Sequence, residues 1–431
     1  MEPLRVGLCG LGTVGQGVVE LLARNASSIA RRAGRSVIIT RVASRTPKPE
    51  VDLAGATFST RLDDVVRASD VDVVVETMGG EAAARQLMSD SCGAAKHFVT
   101  ANKALIALHG QELLAAARNA GVMVRFEAAV AGGIPIVKAL SEGLAGNRIH
   151  WIAGIINGTS NYILSAMASD GASFADALAS AQALGYAEAD PAFDVDGIDA
   201  AHKLSILSAL AFDTPLQFDA VYTEGIGAIT AEDIEYAAAL GYRIKHLGIT
   251  RRTSAGIEMR VHPTLVPETR LLSRVDGVTN AVVIHSDAVG ASLYCGPGAG
   301  ALPSASAVVA DLIDVARGNA LPAFGQDPAP ARVPIDDIES AYYLRIPAAD
   351  QPGVMARVAQ ILSSKEISIE SVIQREQAIR ADTGTAWVPV IILTHRVIER
   401  DLNQALREIQ QLDDVVDTIT RIRVETLDAD G

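Results

Sequence analysis

Leu4-Arg5-Val6-Gly7-Leu8-Cys9 runs directly into Gly10-Leu11-Gly12-Thr13-Val14-Gly15, and this junction decides the fold. The first six residues read as a short buried strand. After the glycines, Val14, Val18, Val19 and Leu22 recur at helical spacing. The glycines fit G-x-G-x-x-G between a strand and a helix. Gly10 permits the tight turn, Gly12 lets the backbone approach a pyrophosphate, and Gly15 lets helix and strand pack closely. The helix start around Thr13 and Val14 then offers unpaired N–H groups to phosphates. A glycine turn can be structural only. Its place at the amino end, in strand–helix context, favours a dinucleotide site.

The pattern continues outward. Val37 to Ala43 reads as a second strand, Val71 to Val75 as a third, and Phe98 to Thr100 and Val122 to Phe126 complete a β/α alternation. That is an α/β, doubly wound sheet of the Rossmann type over about residues 1–131. From 132 to 320 the pattern is mixed. Helices (Phe174 to Leu184, Ile198 to Phe212) alternate with strand-like runs (Trp151 to Ile156, Ala281 to Ile284), which reads as a second α/β domain for substrate and oligomer contacts. Pro322, Pro328, Pro330 and Pro334 mark a semi-rigid linker at 321–337. Over 338–431 the order is strand (Tyr342 to Ile346), helix (Pro352 to Leu362), strand (Ile367 to Arg375), strand (Trp387 to Thr394), helix (Ile398 to Leu412), strand (Val415 to Val424). This is the ferredoxin-like βαββαβ unit.

Bulk properties narrow the class. In 431 residues, hydrophobic types make up 49% and aromatics 4%, so the core is aliphatic, as parallel sheets require. The net charge of −14 comes with no basic stripe, which argues against nucleic-acid binding. Cys9, Cys92 and Cys295 match no metal spacing and suit a reducing, cytoplasmic setting. No basic leader and no run of membrane-spanning length is present, so neither secretion nor membrane insertion is expected.

The middle of the chain carries the densest chemistry. Gly185-Tyr186-Ala187-Glu188-Ala189-Asp190-Pro191 is followed by Asp194, Asp196, Asp199 and Lys203. Such charge beside an apolar helix is costly unless it has partners or a task. Asp199 and Lys203 stand at i and i+4 on a helix that is apolar nearly all round. A surface pair there would contribute only about 0.3–0.5 kcal/mol. A buried pair at a helix start is the better reading, and it points to a site. Asp190 and Asp196 have loop and helix-start duties. Lys103, in Thr100-Ala101-Asn102-Lys103, follows a strand at the carboxyl edge where ligands bind. Arg45 and Lys48 follow the second strand where an acidic residue would hold NAD ribose. They suit the 2′-phosphate of NADP instead, with NAD as the alternative. Asn157-Gly158-Thr159-Ser160-Asn161-Tyr162 either caps a helix through Thr159 or Ser160, or supplies donors to a substrate carboxylate. Gly296-Pro297-Gly298-Ala299-Gly300 precedes a helix and could cover the cofactor.

Taken in order and at this spacing, the glycine turn, Thr100 to Lys103, Asn157 to Tyr162, Gly185 to Pro191, Asp199 to Lys203 and Gly298 to Gly300 resemble the homoserine dehydrogenase family over about residues 4–318. The tail, with Tyr342 to Ile346 and Asp350-Gln351-Pro352-Gly353-Val354, resembles an ACT regulatory domain. Nothing resembles an aspartate kinase, so the resemblance is to the monofunctional form. It implies NAD(P)H-dependent interconversion of L-aspartate 4-semialdehyde and L-homoserine, in the branch to threonine, methionine and isoleucine. It implies Lys203 as proton donor with Asp199 as its partner, and Lys103 near nicotinamide and substrate. Glu188 and Asp194 would hold the substrate amine, with Tyr186, Gly158 and Thr159 also at the substrate. Thr77, Gly185 and Gly300 would join Gly10, Gly12, Thr13, Val14 and Gly15 at the cofactor. A monovalent cation, Na+, would lie at Glu127, Val130, Gly132 and Ile134, on carbonyls largely. An amino-acid effector, threonine, would bind near Asp350, Gly353 and Val354, in a homo-oligomer that is a dimer or a tetramer. Ser160 and Ser304 depart from the family's residues but keep a hydroxyl. Two rival readings are another amino-acid or oxo-acid dehydrogenase and a catalytically inactive amino-acid sensor. The detail of the acidic stretch argues against the first. Intact Lys103, Glu188, Asp199 and Lys203 argue against the second.

Overall fold

The glycine junction forms as its pattern predicts: β1 covers Leu4–Cys9 and a helix covers Thr13–Arg24. This computed structural model describes residues 2–321, 324–325, 330–374, 378–379 and 386–428. Of the positions read from sequence, Pro322, Pro328 and Arg375 lie outside the described residues. β2 (Val37–Ala43), β3 (Thr57–Ser59), β4 (Val73–Glu76), β5 (His97–Thr100) and β6 (Val124–Arg125) join β1 in an all-parallel sheet. The strand order is β3-β2-β1-β4-β5-β6. The order reverses between β1 and β4, and in such sheets the ligand crevice opens at the carboxyl ends there. β6 is shorter than the apolar run 122–126 because only Val124 and Arg125 find partners on β5. Val6, Leu8, Val73, Val75 and Val99 are buried in one core with Val18, Leu22 and Leu312.

The chain forms two compact units. The first gathers Met1–Gly158, Ile198–Val221 and Val278–Pro330, and the second gathers Thr159–Gly197, Tyr222–Gly277 and Ala331–Gly431. The stretch 132–320 is therefore divided between them. Besides the parallel sheet, the first unit holds three antiparallel strands, Ile149–Ile155, Thr279–Ser286 and Gly290–Pro297. It also holds the helices Ile198–Phe212 and Ala301–Arg317. The latter packs on the Thr13–Arg24 helix so closely that a Cβ on Gly17 would lie 2.5 Å from the Ala301 carbonyl oxygen.

In the second unit, Tyr242–Arg252 pairs antiparallel with Ile257–Pro267. The tail forms the expected βαββαβ set: strands Glu339–Ala349, Ile369–Gln374, Ala386–Thr394 and Thr420–Val424, with helices Val354–Ser364 and Glu399–Gln410. Its strands are not a separate sheet. Thr420–Val424 pairs antiparallel with Glu339–Ala349 on one side and parallel with Ile257–Pro267 on the other. Leu344, Ile346, Val390 and Ile392 pack under the two helices, beside Val358 and Leu402. Tyr343, Ile391, Leu393 and Ile422 face the opposite way and join Ile163, Met167 and Leu265. This two-sided burial explains the nearly continuous apolar runs of these strands.

Among the described residues no helix is long and apolar enough to cross a membrane. Cys9 and Cys92 are buried, Cys295 is exposed, and all three are free thiols.

Candidate active site

The glycine turn has the geometry a dinucleotide needs. Gly10 has φ of +106°, and a Cβ there would meet the Thr77 backbone at 2.7 Å. A Cβ on Gly15 would lie 2.0 Å from the Gly10 carbonyl oxygen, so strand and helix close up only with glycine at both positions. Gly12 has open space around it and caps the helix without a side-chain bond. The N–H groups of Thr13 and Val14 therefore open a helix end of partial positive charge, suited to a pyrophosphate. The Thr77 hydroxyl donates to the Gly10 carbonyl at 2.9 Å and so holds the turn in place. Arg45 is exposed just beyond the end of β2, with Lys48 half-buried three residues on. These residues fit a phosphate-bearing dinucleotide.

At the end of β5, Asn102 accepts a hydrogen bond from the Leu105 N–H and caps the helix Lys103–Asn119. That cap sets Lys103 at the helix's first position. Its Nζ lies 3.0 Å from Asp199 Oδ1. Asp199 opens the Ile198–Phe212 helix, and its Oδ2 lies 2.7 Å from Lys203 Nζ, one turn along. Asn157 Nδ2 donates to the same Oδ2 at 2.8 Å. Lys203 Nζ also donates to the Ile156 carbonyl at 2.7 Å. One buried carboxylate thus gathers two ammonium groups. Burial alone would push the Asp199 carboxyl up, but Lys203 and Lys103 outweigh it and hold it well below the usual carboxylate range. The Lys103 side chain is 33% exposed and that of Lys203 only 12%, so the pair has an open and a sheltered member.

Sequence matching adds to this geometry. Residues 135–313 match the model of homoserine dehydrogenase, residues 10–127 its NAD binding domain, and residues 342–414 the ACT domain. The chain is 54% identical to a homoserine dehydrogenase of Pseudomonas aeruginosa, over 99% of this chain and all of that one. The chain belongs to the homoserine dehydrogenase family. A relative from Neisseria gonorrhoeae, also a homoserine dehydrogenase, is 50% identical over 99% of this chain and 100% of that one. The crystal structure of a homoserine dehydrogenase from Thiobacillus denitrificans superposes with a TM-score of 0.93, at 51% identity and 99% coverage of both chains. The protein is thus an oxidoreductase acting on a CH–OH group, with a nicotinamide-dinucleotide domain and an ACT domain.

The remaining family positions lie as follows. Gly185 has φ of +75°, where the chain leaves the Phe174–Ala183 helix. Tyr186 is exposed and its ring meets Tyr162 edge-on at 5.1 Å. Glu188 is exposed, and Asp194 is half-buried in the short helix Ala192–Val195. Asp190 accepts the Ala192 N–H, the helix-start duty read from sequence. The capping role read for Thr159 or Ser160 is corrected: the helix begins at Gly158, so both lie inside its first turn. Their hydroxyls donate instead to the Tyr186 and Asp194 carbonyls, at 2.7 and 3.0 Å. Gly300, with φ of +127°, caps the Ala301–Arg317 helix. Gly353, with φ of +92°, caps the Val354–Ser364 helix of the ACT domain just after exposed Asp350.

The segment read as a cation site is buried and irregular. Ala131 and Gly132 both adopt positive φ, and a Cβ on Gly132 would lie 2.3 Å from the Gly298 carbonyl oxygen. The Glu127 carboxylate accepts the N–H groups of Val137 and Lys138, each at 2.9 Å. Burial first, and then the Asp311 carboxylate, push the Glu127 carboxyl up to about 7. Val130, Gly132 and Ile134 are buried, and the Ile134 carbonyl accepts the Ile136 N–H at 2.8 Å, so backbone oxygen is the kind of donor this segment could offer a small cation. Among the described residues no three His, Cys, Asp or Glu side chains form a metal cluster.

Two polar residues escaped the sequence reading as site members. Asn157 was legible only as part of a polar run, because its bond to Asp199 spans 42 positions. Glu76 ends β4 fully buried and accepts from Thr100 Oγ1 at 2.6 Å and from the Met78 N–H at 2.7 Å. Burial pushes its carboxyl up, and those bonds oppose the shift. A carboxylate closing the apolar run Val73-Val74-Val75 was the available signal.

Proposed function

We propose that the chain reduces L-aspartate 4-semialdehyde to L-homoserine, reversibly, with NADPH preferred to NADH. The reaction would stand on the branch to threonine, methionine and isoleucine. The observation that carries this reading is the buried Asp199 carboxylate held between Lys103 and Lys203. The dinucleotide, whose pyrophosphate the glycine turn would hold, supplies the hydride chemistry when bound. Negative charge then develops on the aldehyde oxygen. Lys203 stabilises that charge and gives up a proton from Nζ to the oxygen. Its two acceptors, Asp199 Oδ2 and the Ile156 carbonyl, fix the ammonium before substrate arrives, so little reorganisation is needed. Asp199 keeps the lysine charged and aimed. Lys103, the more open of the two, is assigned to the substrate and nicotinamide side. Glu188 and Asp194 are assigned to the substrate amine, with Tyr186, Gly158 and Thr159 around the substrate, on the family resemblance.

Arg45 and Lys48 support the NADPH preference, since guanidinium and ammonium suit a 2′-phosphate. Carbonyls of Val130, Gly132 and Ile134, with Glu127, would hold Na+, whose task is to brace the turn against Gly298. The ACT domain would bind threonine at Asp350, Gly353 and Val354 as feedback inhibitor of a homo-oligomer, dimer or tetramer. A steady-state assay with aspartate semialdehyde tests the whole reading. NADPH should outperform NADH, choline in place of sodium should lower stability, and L-threonine should inhibit. No oxidation of either cofactor would remove the assignment. Light scattering gives the assembly size, and a monomer would remove that part.

A further inference from the structure

The structure assigns Glu76 as a positioning residue: one oxygen of its buried carboxylate aims Lys103 through Thr100 and Asn102, and the other shapes the loop beside the glycine turn. The inference deepens the reading above and rests on the tasks given there to Lys103 and to the glycine turn.

Glu76 stands in register with Cys9 on one side and Thr100 on the other. It therefore ends the middle one of three strands, β1, β4 and β5. Their carboxyl ends carry the glycine turn, the loop 77–80 and the helix that starts at Lys103. A fully buried carboxylate is costly unless its lone pairs are met. Here the two oxygens serve different loops.

Oε1 accepts the N–H groups of Met78 and Gly79, at 2.7 and 3.0 Å. Gly79 and Gly80 have φ of +70° and +74°, a double bend that glycine allows at low cost. The same loop is tied to the glycine turn, where the Thr77 N–H donates to the Cys9 carbonyl at 2.8 Å. Oε2 accepts the Thr100 hydroxyl at 2.6 Å. That bond directs the hydroxyl proton and leaves a lone pair for the Asn102 N–H, at 2.9 Å. Asn102 is then held twice more. Its Nδ2 donates to the Gly80 carbonyl at 2.6 Å, and its Oδ1 accepts the Leu105 N–H at 3.1 Å. Lys103 is the next residue, and its ammonium lies 3.0 Å from Asp199. Two hydrogen bonds and one peptide unit thus lead from the Glu76 carboxylate to Lys103.

The test is steady-state kinetics of the full-length enzyme with NADPH and aspartate semialdehyde, with Tm followed for every variant. Glu76→Gln keeps the shape. Its amide oxygen must face the two N–H groups, so its NH2 faces Thr100 and reverses that bond. Its kcat should fall about fivefold while the NADPH KM stays within about twofold. Glu76→Ala removes both acceptors, so the NADPH KM should rise about tenfold as well. Thr100→Val fills the same space without a hydroxyl and should lower kcat about tenfold, whereas Thr100→Ser should keep it within about twofold. Glu76→Gln combined with Thr100→Val should be no worse than Thr100→Val alone, because both cut one bond. Unchanged kcat in Glu76→Gln or Thr100→Val overturns the relay, even where Tm falls. So do multiplied losses in the double variant, or a Thr100→Ser enzyme as slow as Thr100→Val. In each of those cases the wild-type turnover, and with it the proposed reaction, still stands. If the wild-type enzyme oxidises no NADPH with aspartate semialdehyde, the reaction itself fails and the relay with it.

Discussion

Replacing Lys203 by alanine removes a cation from a site nearly closed to water and leaves Asp199 with one lysine. The expected loss is about 10²–10⁴-fold in kcat with little change in substrate KM, because the proton is needed only in the transition state. Asn157→Ala should cost less, about tenfold in kcat, since it loosens Asp199 rather than deleting the donor. Steady-state kinetics separates the two; equal losses would sink the ranking. A second residue-scale effect concerns stability. His246 is buried, and its Nε2 donates to the Glu224 carbonyl at 3.0 Å. Burial lowers its pKa to about 4 from an ordinary 6.5. The unfolded chain therefore binds the extra proton first as pH falls. Stability is full above about 6.5 and declines towards pH 4, by about 3 kcal/mol for this side chain. Denaturant unfolding should show that decline, and it should be shallower in His246→Asn. An identical slope in the variant would refute the assignment. Asp199 and Lys203 were legible in sequence because a helix puts i and i+4 on one face. Asn157 and Glu76 were not, because their partners are fixed by tertiary contact alone.

At the scale of elements, the β1 turn is the most constrained connection. Gly15→Ala would force a methyl to within 2.0 Å of the Gly10 carbonyl oxygen. The turn must then open, and the KM for NADPH should rise about tenfold while the aspartate-semialdehyde KM moves less. A selective rise in the aldehyde KM would contradict the role given to the turn. Five of the six parallel strands and the βαββαβ order were readable from apolar runs and their punctuation; Thr57–Ser59 was not, because so short an edge strand carries no apolar run. Nor could the partner of the last strand be read. Parallel pairing of Thr264 with Arg423 has no local signature, since neither turn length nor alternation encodes it.

For the whole molecule, that pairing makes the ACT domain part of the second unit's framework. A chain ended at Pro330 would strip Thr420–Val424 from the edge of Ile257–Pro267 and uncover Leu265, Met167 and Ile163. An open edge over an apolar face favours aggregation. The shortened protein should be poorly soluble, with a depressed Tm by calorimetry. A soluble, cooperatively unfolding and fully active truncation would show that the tail is an appendage after all. The two-unit division itself was hidden from linear reading, because each unit gathers three separate stretches of chain.

The neighbour of Ile257–Pro267 is synthesised long after it, because Thr420–Val424 lies far downstream in the chain. At about 5–20 residues per second, the nascent chain waits roughly ten to thirty seconds between making the acceptor strand and making Thr420–Val424. Throughout that interval the edge is unprotected, and the second unit cannot close around its core. Until Thr420–Val424 arrives, the growing polypeptide is therefore a natural client for chaperones.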